Sequence, residues 1–102
     1  MQRRYNLKDY AKTCATFAIE VPEYYNFAYD VVDQWAERDR NKLAMVWVDQ
    51  EGNEKKLTFR DFRNASNEAA NIFLKYGIQQ GDPVFIILHR IPEWWTFVLA
   101  LL

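Results

Sequence analysis

Hydrophobic positions in the second half of the chain, Leu57 to Leu102, change period four times. Phe62, Ala65, Ala69, Ile72, Phe73 and Tyr76 recur at three- and four-residue steps, which places them on one face of a long helix. Thr58 and Asp61 stand at capping-box spacing before it, where a hydroxyl accepts an orphan backbone N–H. Gly77 supplies a left-handed stop, and Ile78 is placed to fold back on Phe73 in a Schellman ending. The turn Gly81-Asp82-Pro83 leads into Val84-Phe85-Ile86-Ile87-Leu88, a continuous apolar run suited to a strand covered on both faces. A last helix begins at Pro92, with Glu93 at the positive end of its dipole. At 100° per residue, Trp94, Trp95, Phe97, Val98, Leu99, Leu101 and Leu102 cover an arc of roughly 200°, about twice the usual surface-helix stripe. Only Glu93, Thr96 and Ala100 are left for a polar side, so this helix expects apolar neighbours on two sides. The chain stops just as that helix is established.

The first half patterns more weakly. Leu7, Tyr10, Ala11, Cys14, Phe17 and Ala18 fit a helical stripe from about Leu7 to Ala18, with Asn6 as its cap and Asp9 favourable to the dipole. Pro22 ends the segment, and Val21-Pro22-Glu23 is expected to be extended. A second helix, roughly Ala28 to Glu37 behind an Asn26 cap, turns Ala28, Val31, Val32, Trp35 and Ala36 inward. Leu43 to Val48 is rich in strand formers, 49–53 is turn chemistry, and Glu54-Lys55-Lys56-Leu57 returns with an edge-like composition. The sum is a mixed α/β piece: helices, a β-hairpin, a helix, a buried strand and a helix.

Composition narrows the class. The 102 residues are 50% hydrophobic and 17% aromatic, too apolar for a disordered chain. Thirteen basic and 14 acidic residues intermix to a net charge of −1, and without a basic stripe no nucleic-acid surface is expected. No apolar run is long enough to span a bilayer. Arg3 and Arg4 precede no apolar segment of the secretory kind, and Cys14 stands alone, so a reducing, cytoplasmic setting is the expectation.

Candidate chemistry is sparse. Cys14 lies on the first apolar stripe without a histidine nearby and reads as a small core residue rather than a reactive thiol. Tyr24, Tyr25 and Phe27 could hold a flat ligand, but covering the end of a core is the simpler role. His89 and Arg90 fall just past the carboxyl end of the predicted buried strand, a common ligand position; the plainer alternative is a pair that solvates a strand exit. Asp30 and Asp33 fall on the exposed side of their helix and read as surface. Gly52, Gly77 and Gly81 compose no phosphate-binding motif, and no His/Cys/carboxylate spacing suits a metal. No catalytic, cofactor-binding or metal-binding residue is assigned.

Several strings nonetheless resemble the opening of the medium-chain acyl-CoA synthetases, members of the adenylate-forming (AMP-binding) superfamily related to the acetyl-CoA synthetases. These are Asn26-Phe27-Ala28, Asp30-Val31-Val32-Asp33 and Trp35-Ala36, then Trp47, Gly52, Leu57-Thr58-Phe59, Asn67, Ala69-Ala70-Asn71 and Gly81-Asp82. The order closes on Arg90-Ile91-Pro92-Glu93-Trp94-Trp95, similar to the Arg-Val-Pro-Glu-Trp-Trp of the medium-chain group. Pro83 departs from a usual basic residue and His89 from a common proline, which weighs against a role for His89.

The resemblance implies that residues 1–102 form a single N-terminal subdomain of an AMP-binding large domain, truncated after the helix near Pro92. It implies a parent that uses ATP, Mg²⁺ and coenzyme A to convert a carboxylate to its acyl-CoA, with the catalytic parts downstream and the piece inactive alone. The remainder of the parent is then the natural partner, and the isolated chain is expected to self-associate through its C-terminal helix. The alternative is a stand-alone α/β binding or interaction module without catalysis.

Overall fold

The computed structural model describes residues 9–102. The order is α1 (Tyr10–Thr16), a π-helical segment (Ala28–Asp33) running into α2 (Gln34–Arg38), β1 (Leu43–Val48), β2 (Glu54–Thr58), α3 (Phe59–Lys75) and α4 (Glu93–Leu101). The mixed α/β reading holds. The sheet among the described residues is the two-stranded antiparallel hairpin β1–β2.

Sequence signals set the boundaries of α3. Thr58 Oγ1 accepts from Asp61 N at 3.1 Å while Asp61 Oδ2 accepts from Thr58 N at 2.8 Å, a complete capping box. At the other end, Ile78 N donates to Phe73 O at 3.1 Å and Gly77 N to Leu74 O at 3.0 Å, with Gly77 at φ +85°. This is the Schellman ending, and the left-handed residue carries no Cβ. Hairpin pairing runs Val48↔Glu54 through Met45↔Leu57, then slips between Leu43 and Met45, so that Ala44 bulges out of register. The hairpin turn is held by Asp49, whose carboxylate accepts from both Asn53 N and Asn53 Nδ2 at 2.7 Å.

The core is small: Val32, Phe62 and Leu99 form it, with Ala28, Met45, Leu57 and Phe59 packed around. It therefore draws on the π segment, α3 and α4 together. Phe73 and Phe97 join α3 to α4 with ring centroids 5.9 Å apart. Arg63 joins α3 to the preceding helix, reaching Glu37 Oε1 at 3.5 Å and Asp33 Oδ1 at 3.9 Å.

Four expectations need correcting. The first helix begins at Tyr10 behind an Asp9 cap that accepts from Lys12 N at 3.0 Å, and the proposed cap Asn6 lies outside the described residues. None of its residues is buried; Tyr10 and Cys14 are exposed, so Cys14 is not a core residue. The helix after Asn26 opens as a π-helix, which a six-residue stretch cannot reveal through side-chain period alone. Asn26 does cap it, accepting from Tyr29 N at 3.2 Å while its own N–H donates to Asp30 Oδ2 at 2.7 Å. Residues 84–88 form no strand: they pair with no described strand and leave Phe85 and Ile87 almost wholly exposed. A strand meant to be covered on both faces needs neighbours on its edges and faces, and the hairpin does not reach it. Finally, of the three positions expected on the polar side of α4, Glu93 is exposed but Thr96 and Ala100 are half-buried.

Candidate functional site

His89 and Arg90 are brought to a definite place. They line a cleft of about 400 Å³ between β1 and the start of α4, with Trp47, Pro92, Trp94 and Trp95 among its walls. Trp47 projects from β1 and its Nε1 donates to Arg90 O at 2.7 Å, pinning the 89–91 loop against the hairpin. Ile91 N donates to His89 O at 2.8 Å, closing a tight turn that lets Pro92 start α4. The indoles of Trp94 and Trp95 meet edge to face, 5.0 Å apart at 83°. Lys55 Nζ of β2 lies 3.6 Å from Glu93 Oε1, a second tie between hairpin and helix start.

This cleft has an aromatic wall and a guanidinium, so it can shelter a flat group or steady an anion. It lacks a nucleophile with an adjacent base. The part of Arg90 in use is its backbone carbonyl, a structural role. Sequence reading found the position but missed Trp47 as its anchor; the signal, a tryptophan within a strand whose N–H needs a partner, was present.

The other candidates are dispersed. Cys14 lies on exposed α1. Asp30 serves the Asn26 cap. Asp33 is not the surface carboxylate expected: it is half-buried against Arg63. Burial pushes its carboxyl above the ordinary value, Arg63 opposes this, and Glu37 adds to it. Tyr24 and Tyr25 are exposed and cover no core.

Gly52, Gly77 and Gly81 take positive φ in three separate turns, none leading directly into a helix. Among the described residues no group of three His, Cys, Asp or Glu side chains is placed to hold a metal ion. A second cavity, about 220 Å³, is walled by apolar side chains including Phe27, Met45, Phe59 and Trp95. It offers shape without polar handles.

Comparison with known proteins supplies what the geometry does not. A family model described as AMP-binding enzyme matches residues 32–102. The chain is 39% identical to acyl-coenzyme A synthetase ACSM3, mitochondrial, of Rattus norvegicus over 95% of its own length and 18% of that protein's. It is 41% identical to acyl-coenzyme A synthetase ACSM4, mitochondrial, of Homo sapiens, over 78% of this chain and 15% of that one. It thus spans less than a fifth of the length of these relatives. Their names overturn the cytoplasmic expectation, pointing to mitochondria. The physical reason for the miss is simple: lacking an apolar secretory core argues against export, whereas mitochondrial targeting uses amphipathic, arginine-bearing segments.

Proposed function

Because the chain belongs to the AMP-binding enzyme family, we propose that it is the N-terminal structural portion of an ATP-dependent, AMP-forming acyl-CoA ligase acting in mitochondria. In such an enzyme a carboxylate attacks ATP to give an acyl-adenylate and pyrophosphate. The thiol of coenzyme A then displaces AMP to give the acyl-CoA. ATP, Mg²⁺ and coenzyme A belong to the full-length parent, whose remaining segments would be this chain's principal partner.

The observation that carries the reading is the family match over residues 32–102 in a chain spanning 18% of a relative's length. The role of this portion is architectural. Its capped α3 and anchored 89–91 loop set a rigid corner, while its exposed apolar side chains await cover. Anionic transition states of acyl and phosphoryl transfer need converging N–H groups, cations and metal. In this reading those groups belong to the parent's other segments, and no catalytic step is routed through residues 9–102.

The portion is inactive alone and self-associates. Trp95 on α4 and Leu102 just past its end remain as exposed apolar surface, while Leu99 joins the core. Isothermal calorimetry with Mg-ATP tests the inactivity: no stoichiometric heat is expected at micromolar concentrations. Saturable, Mg²⁺-dependent binding there would overturn it.

A further inference from the structure

Arg40, Arg60 and Arg63 surround a cleft of about 430 Å³ between α2 and α3, completed by Ala36, Glu37 and Asn64. Arg60, Arg63 and Asn64 stand at i, i+3 and i+4 on α3 and so share one of its faces. Arg40 comes from the turn after α2, in which Lys42 N donates to Asp39 O at 3.1 Å. Phe59 N donates to Lys42 O, also at 3.1 Å, which ties that turn to the first residue of α3 and brings Arg40 toward Arg60. Every wall is drawn from residues 36–64.

The carboxylates nearby are engaged elsewhere. Asp61, beside Arg60, accepts from the N–H and the hydroxyl of Thr58 at 2.8 and 2.7 Å. Asp39, beside Arg40, accepts from Asn41 N at 3.0 Å. Glu37 and Asp33 both turn to Arg63, at 3.5 and 3.9 Å. Among the described residues, Arg40 and Arg60 have no carboxylate within 4.0 Å. The cleft thus gathers three guanidiniums around one carboxylate, and two of the three are unpaired. Like charges held together repel, and an anion seated among them relieves that cost.

We propose that this cleft binds a phosphate group, carried on a soluble organic molecule or on a lipid headgroup. A carboxylate presents two oxygens in one plane, which a single guanidinium satisfies. A phosphate ester presents three, spread in space, and accepts from several arginine forks at once. Asn64 adds an amide donor. Ala36 is the one apolar side chain in the walls, so the cleft gives a protein segment little to bury and suits a compact hydrophilic group. Glu37 opposes the anion, and a dissociation constant on the order of a millimolar is expected. Such binding needs no Mg²⁺ and lies outside the micromolar range of the Mg-ATP calorimetry, so the two results are separable.

Titration of the 102-residue chain with inorganic phosphate tests this, followed by NMR at the arginine Nε–H signals. Ionic strength is held constant with chloride, so that general screening does not change. Saturable shifts are expected at Arg40, Arg60 and Arg63. Arg40→Gln and Arg60→Gln should each weaken binding about tenfold. Lys75→Gln removes the same charge at the far end of α3 and should leave binding unchanged. Circular dichroism of each variant checks the fold, in which Arg40 and Arg60 are exposed. Shifts that do not saturate, or an equal loss in Lys75→Gln, would reduce the effect to diffuse charge and overturn the site. Flotation with phosphatidylcholine vesicles, with and without phosphatidate, identifies the source. Retention by phosphatidate that Arg60→Gln abolishes puts the phosphate on a lipid; saturable free phosphate without retention puts it on a soluble molecule. If neither probe binds, the arginines are left to solvent or to the carboxylates of another segment, and the proposal falls.

Discussion

Two residues set the limits of α3, and each makes a separable energetic contribution. At Gly77 an added Cβ would meet nothing within 4 Å, so Gly77→Ala isolates the cost of a side chain at φ +85°. We expect a loss of about 1 kcal/mol, read as a lower denaturant midpoint with an unchanged slope. Asp61 is held below the ordinary aspartate range by the backbone N–H and then the hydroxyl of Thr58. Its folded pKa is depressed, so the stability it contributes is present above about pH 4 and disappears as pH falls through the folded value. Asp61→Asn should accordingly lower stability at pH 6, and the gap from the parent chain should narrow as the pH falls below the ordinary aspartate range. A gap that stays constant with pH would mean that the carboxylate's charge is not what matters. Asp49, lowered chiefly by the Asn53 side chain, adds a second acid-sensitive group in the same direction.

At the level of elements, legibility followed locality. The capping box, the Schellman ending, the hairpin and its turn all depend on residues within a few positions of one another, and each was readable from them. What could not be read depends on distant partners. The apolar run 84–88 has the composition of a covered strand, yet whether it becomes one depends on neighbours that composition cannot supply. The stripe of α1 has helical spacing, but its burial needed a surface to receive it. The site followed the same rule: His89 and Arg90 are legible from their place after the run, whereas the Trp47 anchor bridges 43 positions of sequence. Trp47→Phe keeps the ring and deletes that donor. It should cost about 1 kcal/mol and speed amide exchange at Ile91. An unchanged exchange rate would show that the loop is held by the Lys55–Glu93 pair and the packing of Pro92 instead.

For the whole molecule, the small core explains why so much apolar surface remains outside. Val32, Phe62 and Leu99 come from three segments, and each segment has a second apolar side that nothing among the described residues covers. The same geometry has a consequence for how the chain is made. Asn26 Nδ2 donates to Leu102 O at 2.7 Å, and Leu99 completes a cluster begun at Val32, so the helix after Asn26 closes on α4. A ribosome adding about 5–20 residues per second takes several seconds to pass from Val32 to Leu99. Through that interval Val32, and later Phe62, wait for the side chain that completes their cluster. Local pieces such as the hairpin and α3 can form early, but their docking waits on α4. Nascent chains paused before Leu99 should thus be the ones that chaperones hold and proteases cut.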